Sequence, residues 1–412
     1  MNSGLWHVRN SWRTLPISQQ PPWPCRQQVR DVCQHLERLP PVVQPEECRE
    51  LQRKMARAAR GEEFLLQGGD CAETFDSVQP TRIRRKTDVL HRVARVLADS
   101  MQLPVTVIGR IGGQYAKPRS HRFESRRLPD GRSVKAFSYL GDAVNSAQFD
   151  SVARIPDPQR LLQAYYASAR TVRILSSVSE RQVYTSHEAL LLDYESSLAR
   201  WDDVSGLPYG LSGHLLWIGE RTRALDEAHI EFVRRLGNPI AVKLAASVTP
   251  EDIVRLSERL DPAHVPGRLT LITRLGARRI REVLPPLIER MRKEGINPVW
   301  MCDPMHGNTR TAASGHKTRD FDTMVEEAVA FLEVHKSLES VPAGLHLEVT
   351  GDDVTECVGG SCGITEEGLP LRYESACDPR LNSSQAMEFA TAISKAITES
   401  TPDERGLDVC AW

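Results

Sequence analysis

The chain has 412 residues and a formal net charge of −1, which gives no reason to expect nucleic acid or an anionic membrane surface as a partner. No apolar run approaches the roughly 20 residues that a membrane span needs. The nine cysteines are an odd number, are scattered and form no CxxC pair, so a disulfide framework is not expected. These features indicate a cytoplasmic protein with reduced thiols.

The first 60 residues differ in character from the rest of the chain. Prolines interrupt the segment, while Trp12 and Trp23 offer large apolar surfaces. We predict an extended arm followed by one helix near residues 46–59. The arm either caps the closed end of the domain that follows or crosses to a partner subunit, because two tryptophans in a polar segment usually find something to bury against.

From residue 64 onward, short apolar runs alternate with helical patterns, which predicts an α/β fold with a parallel sheet. Eight runs qualify as strands, and each ends on or near a polar residue. They begin at Phe64, Val105, Val183, Leu215, Ile240, Leu269, Val299 and Leu345. The count of eight and the polar strand ends favour a closed (β/α)₈ TIM barrel over an open doubly wound sheet. We therefore expect an N-terminal extension over 1–60, the barrel over 61–400 and a tail over 401–412.

Several predicted strands end on a basic residue. Arg110 follows the second run, Arg221 the fourth, Lys243 the fifth and Arg274 the sixth. The carboxyl ends of barrel strands meet at one mouth, so these cations are expected to be neighbours there. Four cations suit a substrate that carries phosphate and carboxylate groups. A solvated surface position is the alternative, but Lys243 and Arg274 directly follow strand-like runs.

The long connection between the second and third runs contains a glycine-relieved loop and a turn signal. The loop carries Lys117, Arg119 and Ser120, two cations and a hydroxyl that suit a phosphate group. The segment 128–132 predicts a hairpin turn beside the mouth. One helix, opened by residues 157–158, then leads to the third run.

Four further residues carry metal-ligand chemistry. Cys71 follows two glycines at the end of the first run, His306 follows the seventh, Glu348 ends the eighth, and Asp378 lies near the C-terminus. Each has an ordinary interpretation: a buried cysteine, a structural histidine, a carboxylate paired with a cation, a turn aspartate. Together they would form a site for a divalent metal, open to a further oxygen ligand.

With these residues in place, the chain resembles the class II (plant-like) 3-deoxy-D-arabino-heptulosonate 7-phosphate (DAHP) synthases, in a short form. The similarity spans nearly the whole chain, including the proline-rich arm. The matching segments are residues 64–73, 109–120, 185–195, 217–223, 266–272, 303–309 and 378–382.

The resemblance implies a metal-dependent, aldol-type condensation of phosphoenolpyruvate with erythrose 4-phosphate and water, which releases phosphate and opens the shikimate pathway. It implies that Cys71, His306, Glu348 and Asp378 hold the metal, with Mn²⁺ or Co²⁺ expected. The residues expected around phosphoenolpyruvate are Arg110, Lys117, Glu220, Arg221, Lys243 and Arg274. Arg119 and Ser120 are expected at the phosphate of erythrose 4-phosphate, and Lys243 joins the four metal ligands as a catalytic residue. A homo-oligomer is expected.

One departure from the family pattern keeps other functions open. Members usually have Lys-(Leu/Val)-Gly-Pro, whereas this chain has alanine at 245 and 246. Alanine adds a Cβ and narrows the backbone choices beside the phosphoenolpyruvate site. The alternatives are a synthase in a secondary-metabolite pathway, one that accepts an amino sugar phosphate, and a weakly active paralogue that acts through a partner such as a chorismate mutase. The intact ligand and cation sets argue against the last.

Two expectations concern control of the activity. Cys377 precedes the proposed ligand Asp378, so oxidation could join it to Cys71 and remove the metal's thiolate. Longer family members carry an inserted helical pair between the second and third strands that helps to build pockets for aromatic amino acids. The connection here is too short for that pair, so we predict weak inhibition or none.

Overall fold

In a computed structural model that describes residues 3–127, 132–179 and 181–399, eight parallel strands close into a barrel. Each strand pairs with its neighbours in the chain, and the first pairs with both the second and the eighth. The barrel strands are Phe64–Gly69, Val105–Arg110, Tyr184–Glu188, Leu215–Ile218, Ile240–Ala245, Leu269–Arg274, Val299–Cys302 and Gly344–Glu348. The predicted (β/α)₈ barrel and its eight strands are confirmed.

Helices surround the barrel, and local sequence explains how several begin. Thr249 forms a capping box with Asp252, and Pro250 occupies the first turn, where its missing N–H costs nothing. None of the helices in the described ranges combines the length and apolar character needed to cross a bilayer. The helices are α1 Ser3–Asn10, α2 Arg26–Arg38, α3 Pro45–Ala59, α4 Pro80–Met101, α5 Gln159–Val178, α6 Leu192–Ser197, α7 Ala228–Val233, α8 Pro250–Leu260, α9 Ile280–Lys293, α10 Phe321–Ser337 and α11 Ser383–Glu399.

Helix α3 covers the end of the barrel opposite the polar strand ends. Its Leu51 and Met55 are fully buried and belong to one apolar cluster with Leu65, Ile108 and Trp217 of the barrel interior. Burial of these side chains removes the apolar interior of the barrel from water. The helix that was predicted to follow the arm therefore covers the closed end. The alternative in which the arm itself caps this end was wrong, because Ser18 and Gln19 of the arm contact Arg221 and Arg119 at the mouth.

The prediction of one helix after an extended arm was wrong, because α1 and α2 precede α3. The prolines lie between these helices rather than throughout the segment. Residues 15–24 are the extended part, and they run to the mouth. Gln19 accepts a hydrogen bond from the backbone N–H of Arg119 at 2.9 Å. Trp12 and Trp23 are buried, as expected.

The connection between the second and third barrel strands is short. Strands Phe123–Arg127 and Ser133–Phe137 pair as an antiparallel hairpin, as predicted, although most of the predicted turn, residues 128–131, lies outside the described residues. Helix α5 follows, and its end at Val178 leaves few residues before the third strand. Within the described part of this connection, α5 is the one helix.

Candidate active site and metal centre

The carboxyl ends of the strands surround a cavity of about 580 Å³. It receives nearly all of the predicted site residues, from distant parts of the sequence. Those that line it are Arg110, Lys117, Arg119, Ser120, Glu220, Arg221, Lys243, Arg274, His306 and Asp378. Cys71 and Glu348 are fully buried beneath this cavity. The sequence-based grouping of these residues at one mouth agrees with their positions.

Three predicted metal ligands present donor atoms within 4.8 Å of one another: Cys71, Glu348 and Asp378. The fourth, His306, places its Nε2 atom 3.1 Å from Oε1 of Glu348. Gly69, with φ of 143°, makes the turn before Cys71 possible, because a Cβ there would lie 2.7 Å from the carbonyl oxygen of Arg110.

The chemistry of this donor set fits a divalent metal. The side chain of Lys117 lies among the donor atoms, donating to Sγ of Cys71 and lying 2.7 Å from Oδ2 of Asp378. Burial, together with the nearby Asp378 and Glu348 charges, raises the pKa of the Cys71 thiol, so a thiolate there needs a cation beside it. A thiolate, an imidazole and two carboxylates suit a borderline transition-metal ion.

Two guanidinium groups balance the buried charge of Glu348. Arg110 donates to Oε1 at 2.9 Å, and Arg319 donates to Oε2 at 2.8 Å. Burial alone would raise the pKa of this carboxyl, but His306 and Arg319 lower it well below its usual range. Arg319 was not predicted as a site residue, because it lies in the loop before α10 rather than at a strand end.

Asp303 connects the predicted metal centre to Lys243. Its Oδ2 accepts from Nζ of Lys243 at 2.8 Å and lies 2.7 Å from Nδ1 of His306. The contact with Nδ1 leaves Nε2 of His306 facing Glu348, the arrangement usual for a metal-bound histidine. Burial lowers the pKa of Lys243 to about 8, although Asp303 opposes the shift. Asp303 lies in segment 303–309, one of the segments on which the family resemblance depends, but it was not predicted as a site residue.

Glu327 of α10 fixes the loops that carry Arg274 and His306. Its Oε1 accepts from the backbone N–H groups of Leu275 and Gly276, both at 2.8 Å, and its Oε2 accepts from Asn308 at 2.6 Å. Arg274 in turn donates to the carbonyl oxygen of His306 at 3.1 Å. Sequence reasoning missed Glu327, because a glutamate in a helix resembles an ordinary surface residue.

The outer part of the cavity holds the predicted phosphate loop. Arg221 donates to Oγ of Ser120 at 2.9 Å, and Arg119 pairs with Glu124 of the hairpin at 2.5 Å. The hairpin therefore forms one wall of the cavity, as expected from the sequence. Glu220 accepts from the backbone N–H of Ala245 at 2.8 Å, which ties the ends of the fourth and fifth strands together.

Comparison with known proteins agrees with this geometry. The Class-II DAHP synthetase family profile matches residues 7–181 and 175–394. The chain belongs to this enzyme family. It is 46% identical over 438 residues to the phospho-2-dehydro-3-deoxyheptonate aldolase of Streptomyces coelicolor, covering 94% of this chain and 96% of that protein. It is 40% identical over 444 residues to the aldolase AroG of Mycolicibacterium smegmatis, covering 93% of each.

The comparison of this DAHP synthetase family member with solved structures also found a DAHP synthase from Thermotoga maritima. The two are 16% identical, with a TM-score of 0.39, and the match covers 81% of this chain and 69% of that one. Family membership is shown by the sequence matches. The barrel fold is shown by the pairing of this chain's own strands.

Proposed function

We propose that the protein condenses phosphoenolpyruvate with erythrose 4-phosphate and water to give DAHP and phosphate. The observation that carries the proposal is the juxtaposition of a metal-ligand set with a ring of cations at one mouth. Both substrates are anions that repel each other. Fixed cations that bind both remove this repulsion and hold the reacting carbons close together, which supplies much of the rate acceleration.

The phosphoenolpyruvate site is proposed at Arg110, Lys117, Glu220, Arg221, Lys243 and Arg274. Trp217 supports two of these cations, since its ring lies 5.0 Å from the Arg110 guanidinium carbon and 5.7 Å from Nζ of Lys243. Aromatic faces attract cations and keep water away. The acceptor phosphate is proposed at Arg119 and Ser120, so the carbon chain of the acceptor, with its hydroxyl groups and aldehyde, would extend from this loop toward the metal centre.

Cys71, His306, Glu348 and Asp378 would hold the divalent metal, with Mn²⁺ or Co²⁺ preferred. When bound, a divalent ion polarises the carbonyl oxygen of the aldehyde as a Lewis acid. The surrounding residues support the ligands: Asp303 orients His306, and Arg319 fixes Glu348. Lys117 contacts the ligand atoms and lines the cavity, so it also bridges metal centre and substrate site.

Erythrose 4-phosphate is favoured over an amino sugar phosphate as the acceptor. The alanine at 245 has a φ outside the left-handed region, and its N–H keeps its bond to Glu220, so the position does not need glycine. The proposals of a homo-oligomer, a cytoplasmic location, a chorismate mutase partner and a secondary-metabolite role stay predictions.

The test is an assay of the purified, Mn²⁺-loaded protein with phosphoenolpyruvate and each aldehyde in turn, following phosphate release. Saturable release with erythrose 4-phosphate, at a kcat/KM well above that with an amino sugar phosphate, is expected. Phosphate release with the amino sugar phosphate and none with erythrose 4-phosphate would show that the amino sugar phosphate is the acceptor. No release with either aldehyde would refute the synthase function.

A further inference from the structure

The extended part of the N-terminal segment, residues 15–24, is anchored at the mouth on both sides of Gln19. Before Gln19, the carbonyl oxygen of Pro16 accepts from the first backbone N–H of α7 at 2.9 Å. After it, Nε2 of Gln20 donates to the carbonyl oxygen of Leu190 at 2.7 Å, in the loop that follows the third barrel strand. Gln19 therefore has a fixed position, although it was not predicted as a site residue.

Two consecutive residues of this arm hold two separate parts of the proposed substrate site. Oε1 of Gln19 accepts from the backbone N–H of Arg119 at 2.9 Å. Oγ of Ser18 donates to the carbonyl oxygen of Arg221 at 3.2 Å. The side chain of Arg221 in turn donates to Oγ of Ser120 at 2.9 Å. The arm thus joins the loop after the second strand to the end of the fourth strand.

The backbone of Gln19 is strained at this point. Its φ is 58°, in the left-handed region that side chains with a Cβ rarely adopt. The other non-glycine residues with a positive φ in the described ranges lie in the connections that follow α4, α8 and α10, where such a residue commonly ends a helix: Gln102, His264 and Glu339. Glycine would adopt this conformation at no steric cost, so the contact that the Gln19 side chain makes has to offset the strain. Strained residues of this kind cluster at functional sites.

The backbone of residues 118–120 depends on Gln19 for its position. The chain is anchored before this loop by the N–H of Lys117 and after it by the carbonyl oxygen of His121. Between these anchors, the N–H of Arg119 makes the one backbone hydrogen bond to any residue that the structure describes, and its acceptor is Gln19. Without that acceptor the loop would sample several positions, and ordering it would oppose binding of a ligand.

We propose that the N-terminal arm completes the acceptor site, with Gln19 as the positioning residue that holds Arg119 and Ser120 at the phosphate of the aldehyde substrate. This inference rests on the proposed function, which assigns the phosphate of erythrose 4-phosphate to these two residues. Gln19 does not line the cavity itself, so it acts through the loop rather than on the reacting atoms. A loop that is ordered before the substrate arrives binds more tightly, because the ordering cost is not taken from the binding free energy.

The effect should be confined to one of the two substrates. Lys117, which contacts the proposed metal ligands and lines the phosphoenolpyruvate site, has its own backbone anchor. Loss of the Gln19 contact should therefore leave the metal centre and the phosphoenolpyruvate site in place. Once the acceptor is bound, its phosphate orders the loop, so the chemical step should proceed nearly as before. A change in KM with little change in kcat is the signature of such a loss.

The test compares two variants with the wild type, all Mn²⁺-loaded and assayed for phosphate release. Gln19→Gly removes the acceptor atom and relieves the backbone strain, whereas Gln19→Met removes the acceptor atom at similar side-chain length and keeps the strain. Both should raise KM for erythrose 4-phosphate by about tenfold, the scale of one lost hydrogen bond. Their kcat and their KM for phosphoenolpyruvate should stay within about twofold of the wild type. Ile17→Ala, at an exposed neighbour in the arm, should change neither KM.

Urea unfolding establishes that each variant is folded at the assay temperature, and the use of two variants keeps the test valid if one of them does not fold. A KM for erythrose 4-phosphate within about twofold of the wild type would overturn the inference, since a lost hydrogen bond should cost more. An equal rise in both KM values would show general damage to the mouth and would also overturn it. So would a fall in kcat with an unchanged KM, which would place Gln19 in the reacting geometry. If the wild type itself released no phosphate, the synthase function would fail first, whereas an active wild type with equally active variants would refute the role of Gln19 alone.

Discussion

The two ends of the barrel are stabilised by different kinds of contact. At the closed end, α3 inserts Leu51 and Met55 into an apolar cluster whose members need no particular partner. At the mouth, buried charges such as Glu348 and Asp303 each depend on named groups from distant segments. Apolar contacts are non-directional and proportional to area, whereas a buried charge is tolerated only with a fitted partner.

This difference has a functional consequence. The closed end stabilises the fold and should tolerate any substitution that keeps volume and apolar character. The mouth holds cations and carboxylates in positions that a substrate and a metal can use, at a cost in stability. Substitutions at the closed end should therefore lower stability and leave activity unchanged, whereas substitutions at the mouth should lower activity.

The largest expected effect is complete and reversible loss of activity on oxidation at the mouth. Cys71 and Cys377 belong to one small buried cluster, so peroxide should join their sulfurs and remove the thiolate from the ligand set. Thiol reductant should restore activity. Cys377→Ser should resist peroxide, while Cys362→Ser, at an exposed cysteine, should stay sensitive. Mass spectrometry should find the Cys71–Cys377 bridge; loss of activity without modification of either cysteine would contradict the account.

Removal of Arg319 should damage both activity and stability. In Arg319→Met, Glu348 keeps Arg110 but loses its second guanidinium partner, which should cost about 3–5 kcal/mol of unfolding free energy and at least about tenfold in metal affinity. Denaturant unfolding and metal titration measure these. Arg279→Met removes only an exposed pair with Glu282 and should cost less than about 1 kcal/mol. Equal effects of the two variants would refute the role of Arg319.

At the closed end, stability should fall while the kinetics stay unchanged. Met55→Ala leaves a cavity under the barrel and should cost about 2–5 kcal/mol, measured by urea unfolding. Its kcat and KM at a temperature where it is folded should remain close to those of the wild type. The exposed neighbour Arg53 provides a control, since Arg53→Ala should change stability by less than about 0.5 kcal/mol. A large fall in kcat for Met55→Ala would show that the closed end also contributes to activity.

The smallest expected effect is that of aromatic amino acids. The described part of the connection between the second and third strands contains α5 as its one helix, so the inserted pair of longer relatives has no counterpart there. Tryptophan, phenylalanine and tyrosine, added singly and together at millimolar concentration, should leave the initial rate of phosphate release nearly unchanged. Strong, saturable inhibition by any of them would show a pocket elsewhere in the molecule.

Sequence reasoning succeeded where the signal is local. A strand such as Leu269–Arg274 is recognised in the sequence by its continuous apolar run. In a barrel, the carboxyl end of each such strand lies at the mouth. Helix α2 carried such a signal too, since Val29, Val32, Cys33 and Leu36 share one buried face, but the prolines nearby obscured it. Arg319, Glu327 and Gln19 could not be found this way, because their roles depend on contacts between segments far apart in the chain.

The central claim, that the mouth joins a metal site to the two anionic substrates, is tested most directly by metal removal. The protein is treated with a chelator, dialysed and assayed for phosphate release from phosphoenolpyruvate and erythrose 4-phosphate, before and after Mn²⁺ or Co²⁺ is added. We expect activity to disappear on chelation and to return with either ion in the wild type, but not in Cys71→Ala or His306→Ala. Full turnover by either variant after chelation would contradict the account.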